Sequence, residues 1–159
     1  ESYDMFISCG ILFNHESPYR GLEFVTKKIT SWLAKIVTKK ADKIYLGNIN
    51  AKRDWGFAGD YVKSMWMMLQ QEKPSDYVVC TGESHSVKDF LEESFNYAGL
   101  GDWQNYVEID EKFFRPTDID NLVGDSSKAQ NELGWKPEMK FKELVHLMVD
   151  HDINFEKNQ

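Results

Sequence analysis

Residues 13 to 21, FNHESPYRG, place amide, imidazole, carboxylate and guanidinium groups directly after an apolar run. Ligands of α/β sheets bind beyond the carboxyl ends of the strands, so Asn14 and His15 are expected to face such a crevice. Arg20 adds a planar fork that suits a phosphate or a carboxylate. A polar turn held together by its own side chains explains the same residues equally well.

A second segment, residues 46 to 62 (LGNINAKRDWGFAGDYV), combines the end of a predicted strand with charged side chains. Arg53 suits a phosphate, and Asp54 and Asp60 could accept hydrogen bonds from backbone N–H groups near the start of the next helix. An Arg–Asp pair on a loop is also a common structural feature, so this segment alone does not decide between binding and stability.

A third segment, residues 113 to 125 (FFRPTDIDNLVGD), contains Arg115 and, three positions later, Asp118. A guanidinium near a carboxylate suits the diphosphate and the ribose hydroxyls of a nucleotide, although a surface ion pair uses the same residues. Because the carboxyl ends of parallel strands meet at one edge of a sheet, the three segments are expected to converge.

The elements that must position these segments alternate between strand and helix patterns. Short apolar runs predict strands at residues 5–13, 43–48, 76–82 and 105–110. Apolar residues at helical spacing predict helices at residues 22–38, 61–69, 86–100, 125–135 and 141–156. The nearly continuous first run is typical of a strand buried on both faces of a parallel sheet. This order predicts an α/β fold.

Two of the predicted helices carry end signals. Ser86 with Asp89 three positions later predicts a capping box, and Gly99 predicts where that helix stops. Asp125 is expected to cap the helix that follows it.

The composition limits the class of protein. With 159 residues, 42% apolar residues and a formal charge of −7, the chain is expected to fold as one domain, or as one domain plus part of another. The acidic balance argues against a general nucleic-acid binder, and no apolar run approaches the roughly 20 residues that a bilayer span needs. Because the layout of a signal peptide is missing, we expect a cytoplasmic protein without membrane contacts.

The cysteines and histidines do not predict a metal site. Cys9 and Cys80 each lie in an apolar run, which predicts buried, reduced thiols. His146 and His151 are five positions apart in the last predicted helix, so one face would not present both to a metal ion.

Five stretches together carry a family resemblance: GILFNHESPYRG, FVTKKIT, YLGNINAKRDWGFAGDYVKSMWMMLQ, FFRPTDIDNLVGDSSKAQNELGWKPE and ELVHLMVDHD. In this order they resemble the C-terminal half of the GDP-mannose 4,6-dehydratases, NADP-dependent enzymes of the extended short-chain dehydrogenase/reductase family. The resemblance implies that residues 1–159 form the last strands of a Rossmann-type NADP-binding domain, interleaved with a small substrate-binding domain.

The resemblance assigns some residues to the cofactor and to the sugar. His15 and Arg20 match positions that contact NADP in the family. Asn14 matches a position that faces the sugar and the diphosphate of GDP-mannose.

Other residues match the nucleotide end of the substrate site. Val25 and Lys28 match positions that line the guanine site, and Arg53 and Arg115 match the arginines that hold the diphosphate. Asp118 takes the place of an acidic residue, usually Glu, near the ribose.

The family's catalytic residues do not occur in this sequence. In the family, a Tyr–Lys pair, a Glu and NADP convert GDP-mannose to GDP-4-keto-6-deoxymannose and water by an internal redox cycle. No Tyr in these 159 residues is followed by Lys four positions later, and no Gly-x-x-Gly-x-x-Gly loop occurs. The resemblance therefore assigns no catalytic residue here, and the opening ESYDMF resembles the stretch just downstream of that pair.

Two functions remain open from the sequence. The chain is either part of a complete dehydratase, expected to be a homodimer or homotetramer, or a non-catalytic module that binds nucleotide sugars or assists assembly. An epimerase or reductase on the same scaffold agrees less well with the NHESP and RDWG segments. The sequence upstream of Glu1 is the observation that would decide between the first two.

Overall fold

In the computed structural model, which describes residues 3–114, 119 and 121–159, helices alternate with short paired strands. The helices are α1 (Val25–Val37), α2 (Ala58–Met68), α3 (Val87–Tyr97), α4 (Ser127–Leu133) and α5 (Phe141–Lys157). The strands are β1 (Gly10–Leu12), β2 (Asn14–Glu16), β3 (Ile44–Leu46), β4 (Lys52–Arg53), β5 (Trp55–Phe57), β6 (Tyr77–Val79), β7 (His85–Ser86) and β8 (Val107–Ile109). Two 3-10 turns lie at Trp103–Asn105 and Glu111–Phe113. The predicted α/β class is confirmed.

The strands pair mainly in parallel. β1 pairs with β6, β2 with β5 and β3 with β8 in parallel, whereas β4 pairs with β7 in antiparallel. The prediction of a loop directly after residue 13 is therefore partly wrong, because Asn14–Glu16 is a strand. Its polar residues have low strand preference, but pairing with β5 satisfies their backbone groups and overrides that preference.

The first strand differs from the prediction in length and burial. The strand spans only Gly10–Leu12, and Ile7 and Ile11 are each 58% exposed, so burial on both faces is wrong for the part of the chain that is described. Within that part, β1 pairs along one edge, with β6. Cys9 is exposed and Cys80 is buried, so the predicted burial is wrong for Cys9 and confirmed for Cys80; both thiols are free.

Two apolar cores hold the molecule together, and the chain passes back and forth between them. α1, α3 and α5 form the larger core with β3 and β8; its fully buried residues include Ile29, Phe90 and Met148. α2 and α4 pack on β6 in the smaller core, around Tyr61 and Val79. Burying each such side chain contributes about 1.5–3 kcal/mol.

The ends of α3 follow the sequence signals. The Asp89 N–H donates to Ser86 Oγ at 3.0 Å, and the Ser86 N–H donates to Asp89 Oδ2 at 2.7 Å, which is the predicted capping box. The helix stops before Gly99, whose φ of +73° is a conformation that side-chain-bearing residues rarely adopt. Asp125 lies one position before the N-cap of α4 and accepts from the Ser127 N–H at 2.9 Å.

Asp54 is a fully buried carboxylate that joins segments far apart in the sequence. Oδ1 accepts from the Thr81 N–H at 2.8 Å and from Thr81 Oγ1 at 2.6 Å. Oδ2 accepts from the Gly82 N–H at 2.9 Å and from the Gly124 N–H at 3.3 Å. Asp54 anchors backbone N–H groups as predicted, but those of remote loops rather than of the next helix.

Asp60, in the first turn of α2, has a similar role. Its Oδ2 accepts from the backbone N–H groups of Glu138 and Met139, at 2.9 and 3.0 Å. Its carbonyl accepts from the indole N–H of Trp135 at 2.8 Å. Asp60 thus fixes the segment that leads into α5, and the prediction that it serves the helix start is wrong.

In the described part of the chain, no helix is long and apolar enough to cross a membrane.

The Asp54 contacts predict a large loss of stability when the carboxylate is replaced. Asp54→Asn should lower the free energy of unfolding by about 2–4 kcal/mol, because hydrogen bonds to charged groups contribute ~1.5–3 kcal/mol each and an amide nitrogen cannot accept. Urea unfolding followed by tryptophan fluorescence measures this. Asp42→Asn, at an exposed site, is the control and should change stability by less than about 0.5 kcal/mol. Equal stabilities of the two variants would contradict the role given to Asp54.

Candidate functional site

A cleft of about 480 Å³ lies where three segments of the chain meet. Its lining comes from residues 14–28, 46–55 and 112–114, together with Val87 from the start of α3. The volume is within the range of roughly 300–1,000 Å³ that small-molecule sites occupy. The convergence predicted for the first two sequence segments is therefore observed.

The cleft brings together four residues that the family resemblance assigns to substrate. Asn14 reaches it from β2, Val25 and Lys28 from the first turn of α1, and Arg53 from β4. These residues are up to 39 positions apart, so they meet only because the strands and helices fold back on one another.

Arg115 and Asp118 lie outside the described residues, but their described neighbours adjoin the cleft. Arg53 Nη1 donates to the carbonyl of Ile119 at 2.5 Å and to that of Lys52 at 2.8 Å. On the other side of the gap, Phe114 lines the cleft. Phe114 and Ile119, the described residues on either side of the gap, therefore both lie near the residues assigned to substrate.

Side chains of β2 alternate between the cleft and the smaller core. Asn14 and Glu16 line the cleft, as residues two apart on a strand should. His15, between them, stacks on Tyr61 with ring centroids 5.2 Å apart. The His15 Nδ1 lies 2.9 Å from the Phe13 carbonyl, so this nitrogen carries a proton and donates it. The residues assigned to substrate and to cofactor on this strand therefore point to different sides.

Arg20 lies next to residues that line the cleft. Its guanidinium carbon is 3.4 Å from the centroid of the Phe24 ring, and its Nε is 3.3 Å from Glu16 Oε2. This Nε is buried and has no hydrogen-bond partner of good geometry among the described residues. A buried donor of this kind, on a permanently charged group, suits an anionic ligand.

Glu16 is a site residue that the sequence reasoning missed. It is 1% exposed and accepts from Thr26 Oγ1 at 2.6 Å. Burial raises the pKa of Glu16, and the Thr26 hydrogen bond and the Arg20 and His15 charges oppose that rise. Recognition of residues 14–16 as a strand would have placed Glu16 on the same side as Asn14.

The histidines outside β2 have structural contacts. His85 stacks on Phe141 and His146 on Tyr97, each with centroids 3.8 Å apart. Among the residues that the structure describes, no three His, Cys, Asp or Glu side chains are grouped to hold a metal ion.

Comparison with known proteins identifies relatives along the whole chain. Residues 1–148 match the profile of a family described as GDP-mannose 4,6 dehydratase. The chain is 58% identical over 159 residues to GDP-mannose 4,6 dehydratase 1 of Arabidopsis thaliana, covering 100% of this chain and 44% of that protein. It is 47% identical over 169 residues to GDP-mannose 4,6 dehydratase of Homo sapiens, covering 96% and 45%. The chain thus spans less than half the length of these curated relatives.

Solved structures show the same fold at low sequence identity. A structure of RMD from Pseudomonas aeruginosa complexed with NADPH matches with a TM-score of 0.85 and 18% identity, covering 96% of this chain and 50% of that one. A dTDP-glucose 4,6-dehydratase from Bacillus anthracis in complex with NAD matches with a TM-score of 0.80 and 18% identity, covering 99% and 47%. These matches confirm the extended Rossmann-type fold class.

The burial of Glu16 predicts that replacing its carboxylate with a neutral amide stabilises the folded protein more at high pH than at low pH. Because its folded pKa is raised, the folded protein binds more protons than the unfolded chain just above the ordinary pKa, and stability falls as pH rises through this window. Glu16→Gln removes that titration and keeps an oxygen for Thr26. Its stability relative to the wild type should therefore increase as the pH rises above about 4, the ordinary pKa of a Glu side chain.

Urea unfolding of both proteins across this pH range measures the difference. Glu72→Gln, which removes one carboxylate at the exposed surface, controls for the change in net charge. A stability difference that decreases with rising pH would contradict the assignment.

Proposed function

Because this chain belongs to the GDP-mannose 4,6-dehydratase family, we propose that it supplies the sugar-nucleotide-binding half of an enzyme that converts GDP-mannose to GDP-4-keto-6-deoxymannose and water. The observation that carries the proposal is the cleft, which unites Asn14, Val25, Lys28 and Arg53 from separate elements. Such a reaction belongs to the hydro-lyases and precedes the formation of deoxy sugars such as fucose.

The charges in the cleft support binding of a diphosphate. Arg53 and Lys28 present cations, and Arg53 is oriented by the carbonyl of Lys52 in its own strand and by that of Ile119. In the proposed complex, Arg53 and Arg115 hold the diphosphate and Asn14 faces the sugar. Val25 and Lys28 lie at the guanine, and Asp118 lies near the ribose. Charge-assisted hydrogen bonds from guanidinium groups make such contacts strong and directional.

We also propose that His15 and Arg20 contribute to an NADP site. The guanidinium of Arg20, whose Nε is ion-paired with Glu16 at 3.3 Å, and the fixed ring of His15 would face an anionic cofactor that approaches β2. NADP would accept and return a hydride during the reaction. The residues of this chain would bind and orient it and would take no part in the proton transfers.

The two cores support the proposed division of residues 1–159 into parts of two domains. β1, β6, α2 and α4 surround the smaller core and would form the end of the NADP-binding domain. The larger core would belong to the substrate-binding domain. One face of α2 is apolar and exposed, as expected of a helix that packs on further protein; its members are Val62, Met65, Trp66 and Leu69.

That the protein is cytoplasmic and assembles as a homodimer or homotetramer stays a prediction.

A binding module without catalysis is the second candidate. Both candidates predict that the 159-residue chain alone, given GDP-mannose and NADP, forms no 4-keto sugar. They differ for a chimera in which this chain replaces the matching segment of the Arabidopsis relative. A dehydratase half restores NADP-dependent product formation in the chimera, whereas a module that has lost this role does not. Product formation is measured by chromatography of the nucleotide sugars.

The position of Arg53 predicts weaker substrate binding when it is truncated. Arg53→Ala should lose about 1.5–3 kcal/mol for each charged hydrogen bond removed, which is roughly 10- to 100-fold in the dissociation constant. Calorimetric titration of the chain with GDP-mannose measures this. Lys73→Ala removes the same charge at an exposed site outside the cleft and should leave the affinity unchanged. Equal affinities of the two variants would show that Arg53 is structural.

A further inference from the structure

Phe113 lines the cleft and has two ammonium groups near its ring. The Lys28 Nζ is 3.8 Å from the centroid of the Phe113 ring, and the Lys112 Nζ is 4.9 Å from it. All three side chains line the cleft. A cation within about 6 Å of an aromatic face is attracted by the negative potential of the ring, so Phe113 holds Lys28 in place.

The backbone around Phe113 fixes the position of its ring. The Asp110 N–H donates to the Leu46 carbonyl at 2.8 Å, and the Phe113 N–H donates to the Asp110 carbonyl at 3.0 Å. The turn lies so close to Gly47 that a Cβ there would be 2.5 Å from the Phe113 carbonyl oxygen. The contacts with the end of β3 therefore fix the position of the turn, and the turn fixes the position of the Phe113 ring.

The two lysines are not equivalent. Lys112 Nζ is 2.5 Å from Asp110 Oδ2, so its charge is paired, and its side chain is mostly exposed. Lys28 is closer to the ring and more enclosed; burial and the nearby Lys112 lower its pKa, and Asp110 acts in the opposite direction. Lys28 is thus the ammonium whose position depends most on Phe113.

An ammonium at this position can distinguish purine bases. Guanine presents the O6 and N7 acceptors along one edge, whereas adenine has an N6 amino donor in place of O6. Lysine offers three donors and no acceptor, so it can pair with O6 and cannot pair with N6. A site built to bond one such group rejects the analogue that lacks it.

We propose that Phe113 is a specificity-determining positioning residue, whose ring holds the Lys28 ammonium where it donates to the O6 carbonyl of an oxo-purine diphosphate. The inference rests on the proposed function, because it takes the cleft as a GDP-sugar site. Phe113 acts through Lys28 and favours guanine or hypoxanthine over adenine at the base.

The test compares GDP, IDP and ADP binding to the 159-residue chain by calorimetry. The wild type should bind GDP and IDP with similar affinity and ADP more weakly, since IDP keeps O6 and lacks only the 2-amino group. Phe113→Leu, which keeps an apolar side chain, should reduce the GDP-to-ADP affinity ratio about tenfold, with the loss falling on GDP. Phe113→Tyr should keep the ratio. Phe155→Leu, the same change at an exposed site outside the cleft, is the matched control and should keep it as well.

Two outcomes would overturn the inference while leaving the proposed function intact. Parallel weakening of GDP and ADP in Phe113→Leu would mean that the ring only stacks on the base. Unchanged affinities for both nucleotides in that variant would mean that Lys28 needs no support. The double variant Lys28→Met/Phe113→Leu should have the same ratio as Lys28→Met, because the two residues act as one unit. Failure of the wild type to bind GDP would instead contradict the proposed function itself.

Discussion

The parallel pairing of β2 with β5 is the constraint on which the candidate site depends. It satisfies the backbone of a polar segment that would otherwise be a free loop, and it fixes the alternation of side chains along that segment. Asn14 and Glu16 consequently line the cleft while His15 packs on Tyr61. A shift of the strand by one residue would exchange these sides and place an imidazole where the amide and the carboxylate now lie.

Local signals in the sequence were sufficient for the helices but not for the polar strand. Ser86, Asp89 and Gly99 specify the ends of α3 through contacts within a few residues, so the prediction was close. β2 has no such signal, because its partner is about 40 positions away and its own residues favour turns. Glu16 was missed for the same reason.

The partners of buried carboxylates were equally hidden from the sequence. Asp54 and Asp60 stand next to a helix start, which suggested capping, yet they bind backbone N–H groups 27 to 79 positions away. Asn14 and Arg53 were singled out from their places after predicted strands, whereas Val25 and Lys28 were found only through the family resemblance; the structure then showed that the four share a cleft. Composition, periodicity and strand ends alone would have given the α/β class and the polar segments without Val25 and Lys28.

The Asp54 carboxylate also bears on the order of folding. α3 and its capping box need contacts only three or four residues apart, so this helix can form early, whereas the Asp54 bonds close loops of 27 to 70 residues. Closing long loops costs chain entropy before any contact compensates for it. The loops that Asp54 joins are therefore expected to reach their final positions after α3 has formed, as a late step in the maturation of a nascent chain.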